Sequence, residues 1–154
     1  SNTDSPENMT AILGALGEAG RPVVFPVHPR TRNYLLEYGL LAKMPENMRI
    51  VEPLGYLDMI HLMAHAEKIL TDSGGVQKEA YMLGVPCITL RENTEWVETV
   101  EAGWNVLVGA EREEIVDAIQ HFLPGSRQRK IFGGGNASVL IRENLTGHQD
   151  ARSG

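Results

Sequence analysis

The sequence contains a single cysteine, Cys87, so no internal disulfide can form, which is typical of a protein from a reducing compartment. It lacks an excess of basic residues: the net charge is −6, which argues against a protein that binds nucleic acid. It also lacks any apolar run close to the roughly 20 residues of a membrane span, and no basic-then-apolar signal opens the chain. These absences predict a soluble cytoplasmic protein, for which a small anion is still a suitable charged ligand.

The 154 residues contain an alternation of short apolar segments with helical ones. The pattern predicts strands at 22–27, 48–51, 68–71, 86–90 and 105–108, and helices at 6–19, 31–41, 56–66, 74–83, 111–122 and 136–144. Such short strands between helices predict an α/β, Rossmann-like parallel sheet with helices on both faces. We expect one domain over residues 3–145 and a flexible polar tail over 146–154. Because the order begins with a helix, we also expect the domain to lack a strand at its amino end.

The predicted helix over 56–66 carries an apolar face and a pair of histidines. Its inward face is expected to contain Leu57, Ile60, Met63 and Ala64. His61 and His65 lie one turn apart, with Asp58 one turn earlier, and this spacing can hold zinc. No glutamate follows His61 as in the His-Glu-x-x-His motif, so we expect no metal here.

The clearest local pattern is the junction between the strand that ends at Thr71 and the helix that begins near Gly74. Two adjacent glycines, Gly74 and Gly75, would let an anion approach the backbone without meeting a Cβ atom. The free N–H groups of the first helical turn and the positive end of the helix dipole would face that anion, and Ser73 adds a hydroxyl donor. Glu79 lies on the same helix face, where its carboxylate suits the vicinal hydroxyls of a ribose better than a phosphate. In open parallel sheets, ligands bind at this carboxyl end of the strands.

Other interpretations of glycine-containing segments stay open. The Ser-Gly-Gly junction can simply cap a helix. Asp-Ser-Gly-Gly also surrounds the nucleophile of trypsin-like proteases, but those are all-β, whereas this serine opens a helix. A Walker loop needs Lys-Ser or Lys-Thr after its last glycine, which this sequence lacks. Gly133-Gly134-Gly135 could pass for a nucleotide loop, yet no strand runs directly into it, so we expect a flexible turn there.

Seven stretches of the sequence match one protein family in a single uninterrupted order. They are 26–30 (Pro-Val-His-Pro-Arg), 52–56 (Glu-Pro-Leu-Gly-Tyr), 70–80 (Leu-Thr-Asp-Ser-Gly-Gly-Val-Gln-Lys-Glu-Ala), 83–87 (Leu-Gly-Val-Pro-Cys), 90–95 (Leu-Arg-Glu-Asn-Thr-Glu), 98–103 (Glu-Thr-Val-Glu-Ala-Gly) and 132–138 (Phe-Gly-Gly-Gly-Asn-Ala-Ser). Through them the chain resembles the non-hydrolysing UDP-N-acetylglucosamine 2-epimerases, specifically their carboxyl-terminal lobe. The match covers nearly the whole chain, so it is far more specific than a single glycine motif.

The resemblance implies one lobe of a two-lobed, GT-B-type enzyme that binds its nucleotide sugar between two Rossmann-like lobes. Such enzymes interconvert UDP-N-acetylglucosamine and UDP-N-acetylmannosamine. UDP leaves by elimination across C1 and C2, and it adds back to a 2-acetamidoglucal intermediate after reprotonation on the other face. The reaction needs no cofactor and no metal. The base comes from carboxylates of the amino-terminal lobe, so the resemblance implies no catalytic residue in this chain, and it allows a homodimeric full-length enzyme.

The resemblance also implies roles for individual residues. Ser73, Gly74 and Gly75 correspond to the positions that hold the phosphates, where charge grows as the C1–O bond breaks. Glu79 corresponds to the position that holds the ribose. His28 follows a predicted buried strand, and it is compatible with a contact to the diphosphate, with a second effector molecule, or with a solvated turn.

Several positions depart from the family pattern. Leu54 and Met59 lie where relatives line the uracil pocket, but an aromatic residue is usual at Met59. Trp96 replaces an arginine that would approach the nucleotide, and Arg91 is a candidate to compensate for it. Gly134 replaces an aspartate in the usual Gly-Asp-Gly turn.

The family's lobe also begins with a strand that ends in a His-Arg pair, and this strand is absent here. The chain is therefore expected to be either a piece of a longer enzyme or a truncated relative. Other candidate functions are a lobe of a hydrolysing epimerase or of a GT-B glycosyltransferase, and a stand-alone module that binds UDP-sugars.

Overall fold

The computed structural model describes residues 2–125 and 138–142, which form one six-stranded parallel sheet covered by helices. The strands in chain order are β1 (Val23–Pro26), β2 (Met48–Val51), β3 (Ala66–Thr71), β4 (Cys87–Thr89), β5 (Asn105–Leu107) and β6 (Ser138–Arg142). Their order across the sheet is β2-β1-β6-β3-β4-β5, and every neighbouring pair is parallel. The predicted α/β, Rossmann-like class is confirmed.

The α-helices of the described residues alternate with these strands along the chain. They are α1 (Pro6–Ala19), α2 (Pro29–Glu37), α3 (Tyr56–Ala64), α4 (Gly74–Leu83), α5 (Val97–Glu101) and α6 (Arg112–His121), with short 3-10 helices at Asn2–Asp4 and Leu41–Lys43. The predicted bounds of α1 and α4 are confirmed. Ser5 caps α1, because its Oγ accepts a hydrogen bond from the backbone N–H of Asn8 at 3.1 Å. Gly20 ends α1 with a φ of 74°, a left-handed conformation that favours glycine.

Helices cover both faces of the sheet. α1 packs against α6 on one face, and α3 packs against α4 on the other. Successive strand residues alternate between the two apolar clusters: Leu70 belongs to the α1–α6 side and Ile69 to the α3–α4 side. This two-sided burial leaves the carboxyl edge of the sheet as the place where polar loops gather.

Strand β6 contradicts the prediction of a helix over 136–144. It pairs with both β1 and β3, and Val139, Leu140 and Ile141 are each at most 4% exposed. A strand covered on both faces buries three consecutive side chains, whereas a helix packed on one side does not. The ladder bonds and apolar contacts of this central position outweigh the local Asn-Ala-Ser pattern that resembles a helix start. In the Rossmann order 3-2-1-4-5-6, β6 holds the place of strand 1, the strand predicted from the sequence to be missing.

Two predicted helices differ from the structure in their details. The helix predicted over 31–41 begins earlier, at Pro29, and ends at Glu37. In α3, Met59 and Met63 form the buried face, whereas Leu57 is 79% exposed, so its predicted inward position is wrong. Leu57 lies in the first turn of α3, at the carboxyl edge of the sheet, where no layer covers it. The segments 133–135 and 146–154, for which turns and a tail are predicted, lie outside the described residues.

Within residues 2–125 and 138–142, no helix is both long and apolar enough to cross a membrane.

Candidate functional site

The carboxyl ends of all the described strands lie at one edge of the sheet, because every pairing is parallel. The predicted site residues follow three of these ends: His28 follows β1, Leu54 follows β2, and Ser73 follows β3. The sheet changes direction of growth around β6, between β1 and β3. This is the kind of switch point at which open α/β sheets bind their ligands.

The start of α4 is built by Ser73 and the two glycines that follow it. The Oγ atom of Ser73 accepts a hydrogen bond from the backbone N–H of Val76 at 3.4 Å, so it is the N-cap of the helix. The backbone N–H of Ser73 donates to Oγ1 of Thr71 at 3.0 Å, and the Ser73 side chain is buried. The hydroxyl hydrogen of Ser73 is still available for donation. The capping interpretation and the phosphate interpretation are therefore compatible.

The carboxylate of Glu95 lies directly over Gly74. A Cβ atom built on Gly74 would clash with Oε2 of Glu95 and would lie 3.4 Å from Nε1 of Trp96. The other carboxylate oxygen of Glu95, Oε1, accepts a hydrogen bond from Nη1 of Arg91 at 3.3 Å. An anionic group thus sits at the positive end of α4, which is the interaction that the helix dipole favours.

A buried polar network fixes the segment that carries Glu95 and Trp96. Oε1 of Gln77, on the inner face of α4, accepts hydrogen bonds from Oγ1 of Thr94 at 2.6 Å and from Nδ2 of Asn105 at 3.0 Å. Gln77 and Asn105 are 1% and 3% exposed. Sequence reasoning missed both residues; the available signal is an amide within the apolar pattern of a helix and another at the first position of a strand.

A polar cleft of about 590 Å³ opens beside this network, at the ends of β3 and β4. Its volume is in the range of small-molecule sites. The side chain of Arg91 joins the cleft to the start of α4, because its guanidinium contacts Glu95 and also donates from Nη2 to Oδ1 of Asn93 at 3.2 Å. The residues that line the cleft include Asn2, Asn8, Asp72, Arg91, Glu92 and Asn93.

The other predicted site residues occupy different environments. His28 is the N-cap of α2, and its Nδ1 accepts a hydrogen bond from the backbone N–H of Arg30 at 3.1 Å, which leaves the proton on Nε2. Leu54 is 37% exposed, whereas Met59 is 5% exposed and packs in the α3–α4 cluster. Glu79 is partly buried on α4, in the second turn after Gly74.

His61 of α3 and His65, the C-cap residue of this helix, contact each other. The rings of His61 and His65 are 4.5 Å apart between centroids, and Nδ1 of His65 is hydrogen bonded to the carbonyl oxygen of His61 at 2.9 Å. No group of three or more histidine, cysteine or acidic side chains within 2–125 and 138–142 is arranged to hold a metal ion.

A parallel α/β sheet with a glycine-opened helix at its carboxyl edge defines a Rossmann-like lobe of the kind that binds anionic ligands. A sequence profile described as UDP-N-acetylglucosamine 2-epimerase matches residues 1–146. The chain therefore belongs to the UDP-N-acetylglucosamine 2-epimerase family.

Individual relatives agree with this membership. A UDP-N-acetylglucosamine 2-epimerase homolog from Methanococcus maripaludis is 54% identical over 147 residues, which are 94% of this chain and 41% of the relative. The UDP-2,3-diacetamido-2,3-dideoxy-D-glucuronate 2-epimerase from Pseudomonas aeruginosa is 46% identical over 149 residues, again 94% of this chain and 41% of the relative. The chain spans about 40% of the length of these relatives.

A solved structure supplies the comparison in three dimensions. The UDP-GlcNAc 2-epimerase from Methanocaldococcus jannaschii, crystallised in complex with UDP-GlcNAc and UDP, superimposes with a TM-score of 0.77 at 43% identity. The match covers 87% of this chain and 39% of that protein.

Proposed function

We propose that this chain is the nucleotide-binding lobe of an enzyme that interconverts UDP-N-acetylglucosamine and UDP-N-acetylmannosamine by elimination and re-addition of UDP. The observation that carries the proposal is the start of α4. There Gly74 has no side chain, so the carboxylate of Glu95 can lie against the positive end of the helix. A phosphate oxygen is also negatively charged, and it can accept hydrogen bonds from the N–H groups of the first helical turn. Membership of the UDP-N-acetylglucosamine 2-epimerase family indicates which nucleotide sugar is the ligand.

In this proposal the lobe stabilises the leaving group. Negative charge grows on the diphosphate as the C1–O bond breaks, and the N–H groups of Gly74 and Gly75 together with the hydroxyl of Ser73 offset that charge. Glu79 accepts hydrogen bonds from the ribose hydroxyls. The contacts to the diphosphate strengthen as charge develops and therefore accelerate the reaction, whereas the ribose contact only holds the substrate.

The remaining predicted contacts are to the uracil ring and to the diphosphate. Leu54 is accessible beside α3 and would contact uracil, whereas Met59 would contribute from the core beneath it. His28 offers Nε2–H to a phosphate oxygen from the end of β1. These assignments rest on the carried-over positions and on the location of each residue at the carboxyl edge.

The base that removes the C2 proton is not among these residues, so we expect it in the other lobe of the full-length enzyme. The 154-residue chain should then bind UDP weakly, with a dissociation constant on the order of millimolar, and should not epimerise. Incubation with UDP-N-acetylglucosamine in deuterated water tests the second point. Incorporation of deuterium at C2 above the protein-free rate would contradict it.

The UDP site can be located by chemical-shift perturbation in NMR. UDP should shift the backbone amides of Gly74 and Gly75, and Gly75→Val should abolish binding because a branched side chain fills the phosphate position. Glu79→Gln should weaken UDP more than inorganic pyrophosphate, because pyrophosphate carries no ribose. His61→Ala, on the neighbouring helix, is the control and should change neither affinity. If UDP leaves Gly74 and Gly75 unaffected, the proposed site is wrong.

A second candidate substrate is a UDP-diacetamido-glucuronate. The observation in its favour is the Pseudomonas aeruginosa relative at 46% identity. It is less similar than the Methanococcus maripaludis homolog at 54%, but more similar than a second protein of that organism, named UDP-N-acetylglucosamine 2-epimerase, at 40%. The nucleotide half of the site would be the same for both sugars. Comparison of the two UDP-sugars as substrates of the full-length enzyme distinguishes them.

A further inference from the structure

The indole nitrogen of Trp96 is a buried donor without an acceptor. Nε1 of Trp96 is buried from solvent, and within residues 2–125 and 138–142 no group accepts a hydrogen bond from it. An indole N–H can only donate, and buried tryptophan N–H groups normally have a partner. This donor lies 3.4 Å from the position of a Cβ atom built on Gly74, so it borders the start of α4.

The indole is held in place by its own backbone and by α4. The backbone N–H of Trp96 donates to Oγ1 of Thr94 at 3.0 Å, and its carbonyl oxygen accepts from Oγ1 of Thr99 at 2.7 Å. Nζ of Lys78, on the outer side of α4, lies 5.2 Å from the centroid of the ring. These contacts hold the backbone of Trp96 in place and set its ring beside α4.

A second buried donor lies next to the same segment. Gln77 is 1% exposed, and its Nε2 also has no acceptor among the described residues. Because Oε1 of Gln77 accepts from Thr94, the amide group of Gln77 adjoins the turn that carries Glu95 and Trp96. Buried polar groups in native structures are almost always paired, so the unpaired indole N–H beside Gly74 indicates a ligand with an acceptor oxygen there.

Glu95 differs from Trp96 in its freedom to move. Its side chain is 56% exposed, and its one ion pair in the described residues, with Arg91, is formed at the surface. Its Oε2 nevertheless lies over Gly74, next to the Trp96 nitrogen. A phosphate oxygen bound over Gly74 would need the space that Oε2 of Glu95 fills, and two anions cannot share it.

We propose that Trp96 donates its indole N–H to a phosphate oxygen of the bound diphosphate, at the place over Gly74 that the carboxylate of Glu95 fills. The carboxylate of Glu95 then competes with the phosphate for this place. When the diphosphate binds, it displaces the carboxylate toward solvent and Arg91. The inference rests on the proposed phosphate site at α4 and adds two residues to it with opposite effects. In this proposal a neutral donor, the indole N–H of Trp96, takes the place of the arginine that the resemblance implies at this position.

Two variants separate these effects in titrations of the 154-residue chain with UDP and with inorganic pyrophosphate. Trp96→Phe retains the ring packing but removes the donor, and it should raise both dissociation constants about tenfold, the effect of one hydrogen bond to a charged group. Glu95→Gln removes the competing charge and should lower both constants at least threefold. Glu98→Gln, an exposed charge on α5, is the matched control and should leave them unchanged.

NMR of the indole N–H signals provides a direct readout. The chain has two tryptophans, so Trp104 is an internal reference. Pyrophosphate should shift the Trp96 indole signal and leave that of Trp104 in place. If UDP shifts the amides of Gly74 and Gly75 but not the Trp96 indole, or if Glu95→Gln weakens binding, this inference is wrong while the phosphate site stands. If neither the glycine amides nor the indole responds, the proposed site itself fails.

Discussion

The ammonium group of Lys68, in the centre of β3, donates a hydrogen bond of 2.6 Å to the carbonyl oxygen of Ile119, in the last turn of α6. A second bond of 3.1 Å reaches the carbonyl oxygen of Ala118. Lys68 is 3% exposed, so a strand residue of the sheet caps the carboxyl end of a helix from below. The cation also complements the negative end of the helix dipole.

Replacement of Lys68 by methionine should lower the free energy of unfolding by about 1–3 kcal/mol, because the two carbonyl groups lose a buried donor. Urea denaturation gives the difference from the midpoint at constant slope. Lys43→Met changes an exposed lysine in the same way and should stay within about 0.5 kcal/mol of the wild type. Equal effects of the two variants would contradict the capping role.

The stability difference between the wild type and Lys68→Met should depend on pH. Desolvation by burial lowers the pKa of Lys68 below its ordinary value of 10.5. The unfolded state therefore binds the proton more tightly, and stability from this group rises as pH increases from the native pKa toward 10.5. The stability difference between the wild type and Lys68→Met should shift in favour of the wild type over that range.

Local signals were sufficient for elements whose ends are encoded by caps and apolar runs. α1 has Ser5, Pro6 and Gly20 at its boundaries, and α4 has Ser73 and Gly84. Local signals were insufficient where pairing with strands distant in the sequence determines the secondary structure. β6 is a strand only through its contacts with β1 and β3. The backbone position of the candidate phosphate site was predictable from the glycine pair.

The side chains over that site were not predictable in the same way. Glu95 and Trp96 reach Gly74 only because the segment after β4 folds back onto α4 through Gln77 and Asn105. No local pattern encodes that contact. The resemblance implies a cation at the position of Trp96, and the structure adds that the indole nitrogen of Trp96 borders Gly74.

The strand assignment of β6 is testable through consecutive substitutions. Val139→Ala, Leu140→Ala and Ile141→Ala should each be destabilising, by about 1–4 kcal/mol, because each removes buried methyl groups between two covered faces. Leu123→Ala, at a position 77% exposed, is the control and should have little effect. A helix would leave at least one of the three positions in solvent, so one tolerant position among them would favour the helix after all.

Cys87 should be inert in the native state. It is 1% exposed in β4, and burial raises the pKa of its thiol to about 12 despite the Thr89 hydroxyl 3.7 Å away. Against the ordinary value of 9.0, this lowers the thiolate fraction at pH 8 roughly a thousandfold. A thiol reagent should label the chain only in denaturant, with a rate that follows unfolding. Rapid labelling of the folded chain would contradict the position of β4 in the core.

Gly74→Ala should separate binding from stability. The added methyl group meets Oε2 of Glu95, which is the end of a flexible and partly exposed side chain, so the carboxylate can move aside at little cost. Alanine is also the better helix former, by up to about 1 kcal/mol in a helix interior, and the variant should unfold at a urea concentration close to that of the wild type. UDP and pyrophosphate should nevertheless lose binding, because the methyl group occupies the place of the phosphate oxygen. In the double variant Gly74→Ala with Glu95→Gln, binding should stay lost, since removal of the competing charge cannot reopen filled space. Recovery of binding in the double variant would mean that the methyl group weakens binding only through the charge of the displaced Glu95 side chain. The phosphate would then not approach Gly74.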